Sequence, residues 1–270
     1  RSSDSLDNPK KTDFSLDMGF ETYDNNRSTR LKNLIDQYDK ISYADFKKIK
    51  YDRKYPKPYA FSWMNINHLD LMNPDAYPEV KNLIIALQRW DRKADSNSIG
   101  AGIFAVFYDQ LRPYYRSLPK SKIFPPTTII KALKATKAYI LKYFNSKEIQ
   151  LGTYQKLVRG LKELPIFGLP DVITAMSTRP YKDGKVKVVS GESYIELVKF
   201  TKNGPEIESI ISFGSSDNPE SPHYGDQMKL YSQFKTKKMT LNKDTIYATA
   251  KKIYHPQLEG NHKVKTLQKQ

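Results

Sequence analysis

Residues 185–239, KVKVVSGESYIELVKFTKNGPEIESIISFGSSDNPESPHYGDQMKLYSQFKTKKM, decide the fold of this chain. Two runs rich in β-branched and aromatic residues, 186–200 and 206–213, lie on either side of an Asn-Gly-Pro tripeptide at 203–205. Glycine tolerates a positive φ and proline restricts the local backbone, so this tripeptide has the composition of a turn. Two strand-like runs around an Asn-Gly turn predict a β-hairpin.

A polar, turn-forming run, FGSSDNPESPHYGDQ at 213–227, follows the second strand. It closely resembles the C-terminal signature of the penicillin/cephalosporin acylase family of N-terminal-nucleophile hydrolases, in the branch of cephalosporin, acyl-homoserine lactone and aculeacin acylases. Three other stretches resemble segments of that family and occur in the family's order: NRSTRL at 26–31, LQRWDRKADSNS at 87–98 followed by GAGIF at 100–104, and LGTYQKLVRG with ELPIFGLPD within 151–171.

The resemblance implies an α+β fold, as part of a four-layer αββα N-terminal-nucleophile hydrolase. A helical middle segment would precede antiparallel strands and a C-terminal helix. We expect residues 1–255 to form the C-terminal portion of such a domain, with a helix-rich part at 24–178 and a β-rich part at 185–239. Residues 256–270 are polar and predict a flexible tail.

Apolar residues at helical spacing locate the individual helices. Ser42 stands where an N-cap is expected, Ser96 or Ser98 is the expected cap of a buried helix, and Thr240 is the expected cap of the last helix. The predicted helices span 27–38, 79–92, 128–144, 154–164 and 242–254, with a short helix after Ser42 and a buried one after Ser96 or Ser98.

The composition sets further limits. The chain has 270 residues, 39% of them hydrophobic, and no cysteine, which excludes a disulfide framework and thiol catalysis. No apolar run is long enough to span a bilayer, so no membrane insertion is expected. The net charge of +16 comes from dispersed lysines without a nucleic-acid-binding motif, and it predicts a solvated surface. The alternative is a non-catalytic basic protein that binds polyanions or an anionic surface.

The resemblance also implies a mechanism. The family hydrolyses N-acyl amides with a serine at the mature N-terminus, whose own α-amino group acts as the base. This chain begins with Arg1, so the nucleophile is expected upstream and the isolated chain is expected to be inactive. The expected partners are the upstream parts of the same precursor, namely the α subunit and the N-terminal half of the β subunit. The expected substrate is a small N-acyl amide, with no cofactor, metal or nucleic acid, in the periplasm or outside a bacterium.

Three residues are candidates for chemistry. In the acylases the arginine that matches Arg27 lies near the substrate pocket, and the alternative here is a structural salt bridge to an aspartate. In some relatives a glutamate steadies a histidine near the nucleophile; Glu192 is the first candidate for that role and Glu196 the second. Within 192–200, Glu192, Tyr194 and Glu196 are predicted to share one strand face by period two, and a solvent-facing strand position is the alternative for both glutamates.

Other motif residues are expected to support the backbone. Asp91 and Asp95 stand in a polar corner where carboxylates bind backbone N–H groups. The same structural role is expected for His223, Tyr224, Asp226 and Gln227 of the signature. Ser221, His223 and Asp226 are not expected to form a catalytic triad, because closeness in sequence does not set the required geometry.

Overall fold

The computed structural model describes residues 10, 12–19, 24–61, 65–118 and 123–253; the predicted tail at 256–270 lies outside these ranges. The α-helices are α1 Asn26–Ile35, α2 Tyr43–Lys50, α3 His68–Leu71, α4 Lys81–Arg89, α5 Ile99–Leu111, α6 Pro126–Phe144, α7 Leu151–Tyr154, α8 Met228–Ser232 and α9 Lys243–Thr249. The strands are β1 Gln155–Arg159, β2 Lys162–Pro165, β3 Ser177–Pro180, β4 Val186–Ser190, β5 Tyr194–Thr201, β6 Gly204–Ile211 and β7 Lys237–Met239.

The helix starts follow from their capping residues. The side chains of Ser42 and Ser98 accept the backbone N–H groups of Asp45 and Ala101, which confirms the N-cap predicted at Ser42 and selects Ser98 over Ser96 as the cap of α5. Helix α1 begins with a reciprocal capping box, in which Asn25 and the third helical residue each accept the other's backbone N–H. These bonds satisfy N–H groups that have no partner within the helix.

Helix α5 is the centre of the larger core. Nine of its residues are buried, and α4, α6 and α7 pack around it. Ile103, Phe104 and Phe107 are fully buried, and burial of each such side chain stabilises the fold by roughly 1.5–3 kcal/mol. Gly102 allows the helix to approach the chain before α7, because a Cβ there would lie 2.1 Å from the carbonyl oxygen of Ile149.

The predicted helix at 154–164 is wrong. Helix α7 ends at Tyr154, and the chain continues as an antiparallel hairpin of β1 and β2. Gly160 stands at the turn with φ of +56°, where glycine is the residue that carries no steric cost. Leu161, expected on the apolar stripe of a helix, is fully exposed. Its spacing from Leu157 fits a helix by coincidence, and the pairing of β1 with β2 and β4 holds the segment in strands.

The strands form two sheets. The first has the order β2-β1-β4-β3, with β1 and β4 parallel and the other pairs antiparallel, and the second is the antiparallel sheet β5-β6-β7. The β5–β6 hairpin confirms the turn predicted at 203–205, with Gly204 at φ of +106°. The apolar run 186–200 is divided after Ser190, so that β4 and β5 belong to different sheets. Strands β1 and β2 also lie within the segment expected to be helical.

The last helix, α9, is shorter than expected. Asn242, not Thr240, caps it by accepting the N–H of Thr245. None of its residues is buried, and Ile246 and Tyr247 are half exposed. In the described parts of the chain, no helix has the length and apolar character needed to cross a membrane.

The described structure is therefore α+β, with antiparallel pairing predominant in its sheets. The arrangement in four layers stays a prediction. A second apolar core, which includes Leu157, Phe167, Ile195 and Leu197, lies beneath the two sheets. The start of α1, the chain before β3 and the chain after β4 converge, and that convergence forms the site described next.

Candidate functional site

A cleft of about 560 Å³ opens where α1 begins beside the ends of β3 and β4. Arg27 and Glu192, predicted from separate parts of the sequence, both line it. The complete lining is Asn25, Arg27, Pro170, Asp171, Ile173, Ala175, Ser177, Ser190, Gly191 and Glu192. We call this the Arg27–Glu192 cleft.

Asp171 anchors the arginine side of the cleft. Its Oδ1 lies 3.3 Å from Nε of Arg27, and its Oδ2 accepts hydrogen bonds from the backbone N–H of Asn26 at 3.1 Å and from Asn26 Nδ2 at 2.9 Å. Asp171 adopts a φ of +64°, and its neighbour Pro170 accepts a hydrogen bond from the Tyr55 hydroxyl at 2.5 Å. The loop that contains Pro170 and Asp171 is therefore held by contacts with Asn26 and Tyr55. The Arg27 side chain, on α1, is 54% exposed.

Asn26 is the buried bridge in this arrangement. Only 1% of it is exposed, and its Oδ1 accepts the backbone N–H of Ala60 at 2.7 Å while its Nδ2 donates to Asp171. Burial raises the pKa of Asp171 above its ordinary value, and the hydrogen bonds from Asn26 and the charge of Arg27 oppose that rise. Asp171 is thus the aspartate that the salt-bridge alternative required, and Arg27 lines the cleft at the same time.

Glu192 forms the opposite side. Its Oε1 forms an ion pair with Nζ of Lys50, and its Oε2 is buried with no hydrogen-bond partner among the described residues. The hydroxyls of Tyr51 and Tyr231 are likewise buried without partners there. Burial and then the charge of Glu192 raise the pKa of Tyr51 to about 12, and the same two causes raise the pKa of Tyr231. The charge of Glu192 therefore acts on two buried hydroxyl groups that have no hydrogen-bond partner among the described residues.

Glu196 does not join this cleft. It is exposed on β5 and accepts a hydrogen bond from the Tyr194 hydroxyl at 2.7 Å. The period-two argument that placed Glu192 and Glu196 on one strand face is wrong, because β5 begins only at Tyr194 and Glu192 lies in the preceding loop.

Asp91 lies at the polar corner after α4. Its Oδ1 accepts the backbone N–H of Lys93 at 3.0 Å. Asp95 was expected to do the same, but its carboxylate forms an ion pair with Arg53 instead. The indole N–H of Trp90 donates to the Lys93 carbonyl at 3.0 Å, so the corner is closed by bonds that the chain makes with itself.

The signature run folds back onto the β1–β2 hairpin. The ring of Tyr224 lies against Gly160 and 4.3 Å from the guanidinium carbon of Arg159. Gln227 is buried; its Oε1 accepts the backbone N–H of Ile211 at 3.1 Å, and its own N–H donates to the Phe213 carbonyl at 2.9 Å. These contacts fasten the run to the end of β6.

His223 and Asp226 contact each other at the surface, with 2.9 Å between Nδ1 and Oδ2. The Ser221 hydroxyl accepts the backbone N–H of His223 at 3.2 Å and does not contact its ring. The geometry is that of a turn, without a serine aligned to an imidazole base. Across the described residues, no three His, Asp or Glu side chains gather in a way that could hold a metal ion.

Sequence reasoning missed three residues that hold the two sides of the Arg27–Glu192 cleft: Asn26, Asp171 and Lys50. The first two stand inside motifs that were recognised, NRSTRL and the run ending in Pro-Asp, so their contact could have been sought there. Lys50 carried no signal, because an exposed-looking lysine in an amphipathic helix gives no indication of a distant glutamate.

The sequence model of the penicillin amidase family matches residues 5–248. This chain belongs to the penicillin amidase family. It is 30% identical over 189 residues to the acyl-homoserine lactone acylase PvdQ of Pseudomonas savastanoi pv. phaseolicola, an alignment that covers 62% of this chain and 24% of that relative. It is 27% identical over 165 residues to the aculeacin-A acylase of Actinoplanes utahensis, over 55% of this chain and 20% of that relative.

This penicillin amidase family chain thus matches less than a quarter of the length of those two curated relatives. Among solved structures it is similar to the thermostable penicillin G acylase from Alcaligenes faecalis, with a TM-score of 0.48 and 15% identity, over 93% of this chain and 56% of that one. The membership confirms the resemblance that the four ordered motifs indicated.

Proposed function

We propose that this chain is the C-terminal part of an acylase that hydrolyses N-acyl amide bonds. The proposal rests on one observation: Arg27, Asp171 and Glu192, which come from three separate stretches of the chain, line one cleft of a penicillin amidase family chain. The substrate is a small N-acyl amide, such as the acyl-homoserine lactone or aculeacin A that the relatives' names mention, or a penicillin or cephalosporin as the family resemblance implies.

The nucleophile in this proposal is a serine at a mature N-terminus, outside this chain. Its α-amino group serves as the base, and processing of a longer precursor exposes it. The partners are then the α subunit and the N-terminal half of the β subunit, and the enzyme is periplasmic or secreted. The short match to the relatives supports a contribution from further residues.

The two sides of the cleft have distinct roles. The guanidinium of Arg27 presents a planar fork that can hold a carbonyl oxygen or a carboxylate, and Asp171 fixes its orientation through Nε. Glu192 lines the cleft while its Oε1 is paired with Lys50, and we assign it the role that the family resemblance implies, steadying a histidine beside the nucleophile. Neither role needs a cofactor.

The test is hydrolysis of a chromogenic acyl amide by the full-length protein, together with Glu192→Gln. Loss of the acceptor charge should lower kcat/KM by roughly ten- to a thousandfold, which corresponds to about 1.4–4 kcal/mol of transition-state stabilisation. Glu196→Gln, on β5 and outside the cleft, is the control and should leave kcat/KM unchanged. Equal activity of wild type and Glu192→Gln would remove Glu192 from the site.

Non-catalytic binding of polyanions or of an anionic surface stays the second candidate function, because the net charge of +16 does not depend on the fold. A protein with that function would be retained on heparin with an affinity that falls steeply as salt rises. Elution below physiological salt, together with amide hydrolysis, would leave the acylase as the function.

A further inference from the structure

The sheet β5-β6-β7 is covered by helices on one of its two faces. Ile195 and Leu197 of β5 are buried on that face, in the second apolar core. Glu208 of β6 lies opposite Leu197, accepts a hydrogen bond from the Tyr43 hydroxyl at 3.1 Å and forms an ion pair with Lys47 at 2.8 Å, both on α2. Helix α8 also packs against β6.

The opposite face of this sheet is apolar too, and it is open to solvent in the described part of the chain. Val198 of β5 pairs with Ile207 of β6, which pairs with Met239 of β7, and Phe200 pairs with Pro205 in the next row. Directly paired residues share a face and touch. These five side chains therefore form one surface, which we call the outer apolar face. Phe200 is 85% exposed, and Val198, Pro205 and Met239 are exposed as well.

A polar row bounds the outer apolar face on one side. Glu196 of β5, Ser209 of β6 and Lys237 of β7 are paired across the three strands. The row holds one negative and one positive charge, so the surface has no net charge of its own along this border. The outer apolar face is therefore a different feature from the dispersed lysines that would suit a polyanion.

The composition of β5 indicates that both faces of the sheet become buried. A strand with one face in water alternates apolar and polar residues, whereas a strand buried on both sides is apolar at both parities. In β5 the inward residues Ile195 and Leu197 and the outward residues Val198 and Phe200 are all apolar. Contiguous exposed apolar surface of this kind marks a contact with another part of a protein.

The size of the outer apolar face argues against a second copy of this chain as its cover. A phenylalanine side chain has about 150–250 Å² of surface, so five such positions expose on the order of a few hundred Å². Stable complexes between separate proteins bury roughly 1,200–2,000 Å² in total. Two copies would also bring together two net charges of +16. The face fits a layer that is joined to this chain by further contacts.

We propose that the outer apolar face is covered by an apolar layer of the same precursor, from the part that lies outside this chain. The inference rests on the proposed function, in which this chain is one part of a longer acylase. The chain matches 24% and 20% of the length of the two curated relatives, so the remainder of such a precursor is long enough to supply the layer. The outer apolar face then joins the parts of the enzyme, and it lies outside the Arg27–Glu192 cleft.

The first test is hydroxyl-radical footprinting of the full-length protein, read by mass spectrometry. The labelling rate of each side chain is compared with its rate in the same protein unfolded in urea. We expect Phe200 and Met239 to be labelled at least about tenfold more slowly in the folded protein, because the centre of an interface excludes water. Leu161, fully exposed at the β1–β2 turn, is the control and should be labelled within about twofold of its unfolded rate.

Three footprinting results would overturn the proposal. Labelling of Phe200 and Met239 at the unfolded rate would show that the face is open in the whole protein. Protection that disappears as light scattering reports dissociation of a dimer would assign the face to a second copy. Protection that is lost when residues 256–270 are deleted would assign it to the C-terminal segment of this chain.

The second test places positive charge on the face in the full-length protein. The double variant Val198→Lys/Phe200→Lys should lower the apparent Tm by roughly 5 °C or more, because unpaired charges would be buried. Leu161→Lys is the matched control and should leave Tm unchanged within about 1 °C. A Tm of the double variant equal to that of wild type would contradict the proposal. If the double variant does not fold, footprinting of the wild type decides.

The outcome is independent of catalysis. Protection of Phe200 and Met239 in a full-length protein that hydrolyses no acyl amide would remove the acylase function and leave the interface standing. Hydrolysis by a protein in which both residues are labelled freely would keep the acylase function and remove the interface.

Discussion

The guanidinium of Arg159 lies 4.3 Å from the ring centroid of Tyr224 and 5.2 Å from that of Phe213. This contact joins the hairpin of β1 and β2 to the signature run, two motifs that are distant in sequence. Its NH2 group also donates to the Ser216 carbonyl at 3.3 Å. The Arg159 side chain therefore contacts the signature run through Phe213, Ser216 and Tyr224. The contribution of the Arg159–Tyr224 contact to the link between the two motifs can be measured.

Tyr224→Ala should lower the free energy of unfolding by roughly 2–4 kcal/mol, because it removes the ring that covers both Gly160 and the Arg159 guanidinium. Tyr224→Phe keeps the ring and should cost less than about 1 kcal/mol. Urea unfolding followed by circular dichroism measures both values. Tyr247→Ala, on the exposed helix α9, is the control and should stay within about 0.5 kcal/mol of wild type. Equal stability of Tyr224→Ala and Tyr247→Ala would contradict the link.

Asn26→Ala should lower the free energy of unfolding by roughly 2–4 kcal/mol. The substitution leaves the Ala60 N–H without its acceptor and removes one donor to the half-buried Asp171 carboxylate. Asn33→Ala, at an exposed position of the same helix, is the matched control. Denaturant titration measures the free energy of unfolding of both variants. If Asn26→Ala is as stable as Asn33→Ala, the hydrogen bonds of the Asn26 side chain contribute little to stability.

Arg27→Ala in the full-length protein should lower kcat/KM on a chromogenic acyl amide by roughly ten- to a thousandfold if Arg27 positions the substrate. Arg27→Lys should recover only part of the loss, because an ammonium group lacks the planar fork. The exposed Arg27–Asp171 pair contributes little to stability by itself, so thermal unfolding should change only slightly. A drop in thermal stability with kcat/KM per folded molecule unchanged would assign Arg27 to bracing the start of α1.

Tyr51→Phe should alter the response of stability to alkaline pH. The pKa of Tyr51 is raised to about 12 in the folded protein by burial and then by the charge of Glu192, whereas an unfolded tyrosine titrates near pH 10. Between these values the unfolded chain has released the proton and the folded chain has kept it. The contribution of Tyr51 is therefore complete below about pH 10 and is lost as pH rises toward about 12.

The difference in unfolding free energy between wild type and Tyr51→Phe, measured by urea titration from pH 8 upward, should thus be constant below about pH 10 and shift in favour of the variant above it. At neutral pH the variant should be as stable as wild type or more so by about 1 kcal/mol, since the Tyr51 hydroxyl is buried without a partner among the described residues. A difference that does not vary with pH would contradict the raised pKa.

The family motifs allowed the site to be predicted only in part. Arg27 and Glu192 were selected from the sequence, and both line one cleft. Their partners Asp171 and Lys50 were not selected, because an ion pair between residues far apart in the chain leaves no periodic trace in the sequence. Glu196 was selected because alternate residues of a strand share a face, which would place it beside Glu192. That argument is wrong because the strand begins only at Tyr194.

The sequence by itself determined what depends on neighbouring residues. The caps at Ser42 and Ser98, the buried helix α5 and the β5–β6 turn at Gly204 follow from local hydrogen bonding, apolar spacing and the low cost of a positive φ in glycine. Tertiary structure alone decided that residues 155–165 form a hairpin in place of a helix and that the apolar run 186–200 divides between two sheets. The physical reason is that a short apolar run is compatible with more than one backbone conformation, and the choice is made by burial against partners that are distant in the chain.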